Sequence, residues 1–76
     1  MEIYSVRIRK LREKCNKSQD DIAELLGTSQ TMYSRYERGA NAMPIRYLII
    51  LSKYYGVTTD YILGLSNRPR WMVAMS

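Results

Sequence analysis

Residues 18–39, SQDDIAELLGTSQTMYSRYERG, decide how this chain folds. They read as two short amphipathic helices joined by a tight turn. Ser18 precedes the first, and Asp21 three residues on completes an S-x-x-D pattern, in which hydroxyl and acid each satisfy a backbone donor of the other. Asp20, Asp21 and Glu24 place negative charge early in this helix, the end that favours it. Ile22, Leu25 and Leu26 supply its apolar face. Two helices cross closely only where a small residue faces the partner, and Ala23 fills that place. Gly27 follows, where a helix commonly ends on a residue at positive φ. Ser29, or Thr28, caps a next helix over Gln30 to Glu37. Tyr33 and Tyr36, at i and i+3, mark its inner face. Ser29, Gln30, Thr31, Ser34 and Arg35 are left outside.

Working outward, Ile8, Leu11 and Cys15 fall at helical spacing and predict a first helix over Val6 to Cys15, facing inward. Asn16 then stands where a left-handed residue is wanted. Arg38-Gly39 ends the third helix, and the small residues Ala40 to Met43 lead to Pro44 at the start of a fourth. Ile45, Leu48, Leu51 and Tyr55 make its expected core stripe, which leaves Tyr47 and Ile50 off that stripe. Gly56 ends it. Thr58 caps a short fifth helix, Thr59 to Leu63, closed by Gly64. No run alternates convincingly as a strand, and there is no internal repeat. Beyond Ser66 the pattern stops. Residues 67–76 hold two arginines, a proline and the apolar cluster Trp71, Met72 and Val73, a tail expected to form a dimer contact or to be disordered. The expectation is an all-α, five-helix domain over residues 1–66.

Composition narrows the chemistry. One cysteine precludes an internal disulfide, and the absence of histidine removes any Cys/His zinc set. No nucleophile–base pair is visible, so an enzyme is not expected, and neither is a cofactor or metal. The longest nearly apolar run, Tyr47 to Leu51, is far too short to cross a bilayer, and no signal-peptide core opens the chain. A cytoplasmic protein is expected. The net charge of +5 suits a polyanionic partner without requiring one. Arg7, Arg9, Lys10, Arg12, Lys14 and Lys17 crowd the N-terminal stretch against Glu2 and Glu13. By themselves they read as a solvated helix face; beside the central helix pair, some would approach phosphates.

Gln19, Ala23, Gly27 and Gln30 have the spacing of a helix-turn-helix, the motif that lays its second helix in the major groove of DNA. With IRKLRE (8–13), SQDDIAELLG (18–27), YSRYERG (33–39) and YYGVTTDYILGLS (54–66), the chain resembles the phage-repressor/Cro-type helix-turn-helix family, also called the xenobiotic-response-element family of regulators. The resemblance covers about residues 6–66. It implies a compact lambda-repressor-like five-helix domain on double-stranded DNA, usually a two-fold homodimer on a palindromic operator. It also implies that Gln19 approaches a phosphate, that Ser29, Gln30, Thr31 and Arg35 look into the major groove, and that Arg12 and Glu37 form an internal ion pair. Two positions depart from the family pattern. Lys17 stands where an apolar residue is usual, and either snorkels from the core edge or joins the phosphate face. The loop Ala40 to Met43 lacks the Lys or Arg often found there.

The residue chemistry agrees with that frame. A glutamine amide offers one donor and one acceptor, matching adenine N7 and N6, so Gln30 is the leading base reader. Arg35, on the same face, would grip guanine O6 and N7 or a phosphate. Ser29 and Thr31 permit close approach, and Ser34 is a further candidate. Lys17, Arg38 and Asn41 are expected at phosphates, contacts that position without carrying sequence information. Tyr33, Tyr36, Tyr54, Tyr55 and Tyr61 read mostly as core rather than as stacking platforms for single strands. A sequence-specific regulator, acting as a repressor, is the leading expectation. An antitoxin-like or adaptor module binding another protein is the alternative, and non-specific nucleoid binding a third.

Overall fold

The structure, a computed structural model, describes residues 3–67. The tail cluster at Trp71, Met72 and Val73 lies outside them. Five helices follow in order: α1 (Ile3–Lys14), α2 (Gln19–Leu26), α3 (Gln30–Glu37), α4 (Ile45–Tyr55) and α5 (Thr59–Leu63). Among the described residues there is no strand.

The local signals act as their chemistry requires. Ser18 accepts from the Asp21 N–H at 3.0 Å while its own N–H donates to Asp21 Oδ2 at 2.9 Å, closing the capping box. The Ser18 N–H holds the Asp21 carboxyl below the usual range. Ser29, not Thr28, caps α3, its hydroxyl accepting from Met32 N–H at 3.1 Å. Thr58 does the same for α5 through Tyr61 N–H at 2.9 Å.

Ile8, Ile22, Ala23, Leu26, Tyr33, Tyr36, Met43, Tyr47, Leu48, Leu51, Val57 and Ile62 form one continuous core. Tyr36 meets Tyr47 edge-to-face at 6.0 Å between ring centroids, joining α3 to α4. Burial of this apolar surface must carry most of the stability of so short a chain.

Five assignments change, three from inward to exposed and two from off the core stripe to the core. The α1 helix begins earlier than Val6 and ends before Cys15, which is exposed in the turn where Asn16 takes φ 56°. With the helix ended at Lys14, helical spacing no longer sets the direction of the thiol. Its first turn packs toward α5: Ile3 lies so near Gly64 that a Cβ there would sit 2.5 Å from Ile3 Cγ2, and Gly64 also holds φ +84°. Leu25 is exposed. On α4, the buried residues are Tyr47, Leu48 and Leu51, with Ile50 and Tyr55 packed beside them, whereas Ile45 is 73% exposed. Tyr47 and Ile50 are therefore not surface residues. The run Tyr47–Leu51 is apolar on every side, so its period alone could not say which face the Tyr36 ring would meet.

Candidate nucleic-acid interface

The turn between α2 and α3 brings two short helices against each other across Ala23, which is 2% exposed. Gly27 makes it possible, at φ 75°, with its N–H returning to the carbonyls of Ala23 and Glu24. An L-residue pays a steric cost in that left-handed region. On α3, Tyr33, Tyr36 and Glu37 are buried. Ser29, Gln30, Thr31, Arg35 and Arg38 are exposed, and Ser34 is half-buried. The face read as polar from the sequence is one continuous outer surface of α3.

Behind that surface runs a chain of hydrogen bonds from α1 to the start of α3. Arg12 grips the Glu37 carboxylate through Nε at 2.7 Å and Nη2 at 3.1 Å, and its Nη1 donates to the Lys17 carbonyl at 2.9 Å. Glu37 Oε1 also accepts from Gln19 Nε2 at 3.1 Å. Gln19 Oε1 in turn accepts from Gln30 Nε2 at 2.7 Å. The Glu37 side chain is 3% exposed and that of Arg12 13%. Burial alone would raise the Glu37 carboxyl, but its bonds from Arg12, with smaller help from the nearby Tyr33 phenol and the Gln19 amide, outweigh that and leave the group below its ordinary value. Bonding to Glu37 raises Arg12 correspondingly, against burial. Burial, then the neighbouring carboxylate, pushes the Tyr33 phenol up. Both members of the pair are thus charged at neutral pH.

The remaining expected contacts fall out unevenly. Gln19, expected at a phosphate, donates one amide hydrogen to Glu37 and accepts from Gln30, which leaves its second amide hydrogen as a donor. Ser29 spends an oxygen lone pair on its cap and retains its hydroxyl hydrogen for a partner. Arg35 and Asn41 are tied together, Arg35 Nε donating to Asn41 Oδ1 at 3.2 Å, while the Asn41 carbonyl accepts from Tyr4 Oη at 3.1 Å. This fixes Asn41 beside α3 and leaves the terminal nitrogens of Arg35 as donors. Lys17 is exposed, so it does not pack into the core edge.

Arg7 is not a solvated charge. Its Nη1 donates to the carbonyls of Tyr61 and Ser66, its Nη2 donates to Asn67 Oδ1, and the guanidinium stacks 4.3 Å from the Tyr61 ring centroid. It clamps α1 to the end of α5.

One cation was missed. Arg46, in the first turn of α4, lies 4.8 Å from the Tyr47 ring centroid and is exposed. Tyr47 in turn packs edge-to-face on Tyr36 at 6.0 Å, which brings the cation toward the last turn of α3. It supplies beside α3 a charge that the preceding loop lacks. The available signal was a basic residue two places after a helix-starting proline. Among the described residues, no group of three His, Cys, Asp or Glu side chains is placed to hold a metal ion, and no helix is long and apolar enough to cross a membrane.

Two helices crossed at an alanine, a left-handed glycine turn and an outward polar third helix define a helix-turn-helix protein. The helix-turn-helix family profile matches residues 8–62, and the chain belongs to that family. It is 36% identical over 67 residues to the uncharacterized HTH-type transcriptional regulator YobD of Bacillus subtilis, covering 88% of this chain and 60% of the relative. It is also 36% identical over 58 residues to the HTH-type transcriptional regulator ImmR of B. subtilis, covering 76% of this chain and 46% of that one. With the cryptic phage CTXphi transcriptional repressor RstR of Vibrio cholerae it shares 31% identity over 55 residues, 72% of this chain and 50% of the repressor. The chain thus spans about half to three-fifths of the length of these relatives. No solved structure gives a significant match.

Proposed function

We propose that this chain binds double-stranded DNA sequence-specifically and regulates transcription, as a repressor that covers an operator overlapping a promoter. The observation that carries this reading is the exposed row Ser29, Gln30, Thr31 and Arg35 on a helix held rigidly from behind by the Arg12–Glu37 pair. The relatives named as transcriptional regulators and as a phage repressor support it.

Gln30 and Arg35 read base edges, Thr31, Ser29 and Ser34 line the approach, and Lys17, Arg38 and Asn41 set the register on phosphates. Arg46 joins that second group. Gln19 reaches the backbone through its main chain at the start of α2 and through the second hydrogen of its amide, since only one is spent on Glu37. The protein works in the cytoplasm as a homodimer on a palindromic site. Ile45 and Ile49, 73% and 44% exposed and one turn apart on α4, support a self-contact there.

Selection of bound duplexes from a random pool at about 150 mM salt tests this reading, a concentration at which weak phosphate-only binding is already suppressed. Enrichment of a palindrome, lost when Gln30 and Arg35 are both changed to Ala while the fold is retained, is the expected result. Retained biological activity in that double variant would instead indicate a protein-interaction module. Those same exposed isoleucines are the observation that favours this second reading.

A further inference from the structure

Asn41 is tied through both its main-chain and both its side-chain polar atoms, and every tie leads to α3 or α1. The chain leaves α3 through Gly39 at φ 73° and turns back on itself. The N–H groups of Ala40 and Asn41 then both donate to the Arg35 carbonyl, at 2.9 and 3.4 Å. Tyr4 Oη holds the Asn41 carbonyl from α1 at 3.1 Å. The side-chain amide has its sense fixed by its neighbours. Arg35 Nε–H can only donate, so it faces Oδ1 at 3.2 Å, and Nδ2 falls on the Met32 sulfur at 3.4 Å. Asn41 is half-buried and Arg35 exposed, so the acceptor is the fixed member of the pair and the guanidinium the member it restrains.

A guanidinium grips a planar partner by one of two forks. The side-on fork uses Nε–H with one terminal N–H; the end-on fork uses one hydrogen from each terminal nitrogen. Asn41 occupies Nε–H, which closes the side-on fork and leaves the end-on fork whole. We propose that Asn41 is a positioning residue for base recognition, holding Arg35 so that its end-on fork is presented from the outer face of α3 to guanine O6 and N7. The proposal rests on Arg35 reading a base edge, as proposed above, and gives Asn41 a part distinct from a phosphate contact.

Two parallel donors fit guanine, whereas the N6 amino group of adenine would face one of them. Released from Asn41, the guanidinium can turn side-on, to a phosphate or to a single acceptor, and discrimination between the purines falls. A side chain already held before DNA arrives also loses less freedom on binding. The second Nδ2 hydrogen of Asn41 stays available to a phosphate, a contact that carries no base preference.

The guanine-to-adenine preference at the base pair that Arg35→Ala relaxes measures this, by competition binding. Wild type, Arg35→Ala, Asn41→Ala, Asn41→Asp and the double variant Arg35→Ala with Asn41→Ala are compared, each shown to be folded by circular dichroism. The ratio cancels any phosphate contact, which acts on both duplexes alike. Wild type should favour guanine on the order of tenfold. Asn41→Ala should narrow this to about threefold, through loss of one orienting hydrogen bond. Asn41→Asp keeps an acceptor for Nε–H, so its ratio should stay near that of the wild type while the added negative charge weakens binding to both duplexes. The double variant should match Arg35→Ala. If Asn41→Ala weakens both duplexes equally and keeps the wild-type ratio, the positioning role is overturned and base reading by Arg35 survives. A ratio narrowed as much by Asn41→Asp as by Asn41→Ala overturns the role of the acceptor. A further change of ratio in the double variant would mean that Asn41 touches the base itself, which also overturns it. If Arg35→Ala relaxes no base pair, base reading by Arg35 falls and the positioning role with it.

Discussion

Three arginines of one helix meet three different fates. Arg9 pairs with Glu13 one turn away at 3.4 Å, with side chains 61% and 54% exposed. Arg12, three residues further on, reaches across to α3 and grips Glu37 in the interior at 2.7 Å. Arg7 on another face caps the carbonyls at the end of α5. The charge is the same each time, and solvent decides what it does. An exposed i,i+4 pair gains a few tenths of a kcal/mol because water competes for both partners. The interior pair has lost that competition, so each partner depends on the other.

The comparison is easiest to break at Arg12. Arg12→Met leaves the Glu37 carboxylate buried without its main partner and should lower unfolding free energy by about 3–5 kcal/mol in urea titrations. Its pH dependence is sharper still. In the wild type the Glu37 carboxyl lies below its ordinary 4.5, so its contribution is present above that value and is lost as pH falls through the depressed one. In Arg12→Met burial prevails and the folded carboxyl rises above 4.5; the native state then binds the extra proton and stability falls as pH rises. The stability gap between the two proteins should therefore widen from pH 4 to 7. A gap that narrows would mean the pair is not what holds Glu37 ionised.

Arg7→Met should cost about 2 kcal/mol, from charged hydrogen bonds lost at part-buried carbonyls. Because the clamp faces α5, the slope of log affinity against log salt should not change; a phosphate contact would reduce it by about 0.9. Gly64→Ala should cost about 1–2 kcal/mol, read as a lowered Tm, since φ +84° disfavours a Cβ and Ile3 stands in its way. Arg9→Ala should change stability by less than about 0.5 kcal/mol. A loss at Arg9 as large as at Arg12 would remove solvent exposure as the explanation of the difference.

Much of the local structure that carries the candidate interface was legible in advance because it is written in local patterns. Capping residues, the turn glycine and the i, i+3 tyrosines each act within one turn of helix, so α2 and α3 and the polar outer face of α3 follow from residues 18–39. The pairing of Arg12 with Glu37 came from family resemblance, not from spacing, since 25 residues separate them. Gln19 marks a limit of that reading: a polar residue at a helix start looks the same in sequence whether or not its amide also serves a buried acid. Cys15, Leu25, Ile45, Tyr47 and Ile50 were misassigned for a related reason. Near helix ends and in all-apolar runs, periodicity loses its phase.

By itself, then, the sequence determined the helices, their caps and turns, and the polar row of α3, because each depends on neighbours within a few residues. Only the tertiary structure decided which cations are spent inside and which face of α4 meets Tyr36. It alone joined Arg12, Glu37, Gln19 and Gln30 into one chain. Those outcomes turn on desolvation and on contacts between residues far apart along the chain, and no local pattern encodes either.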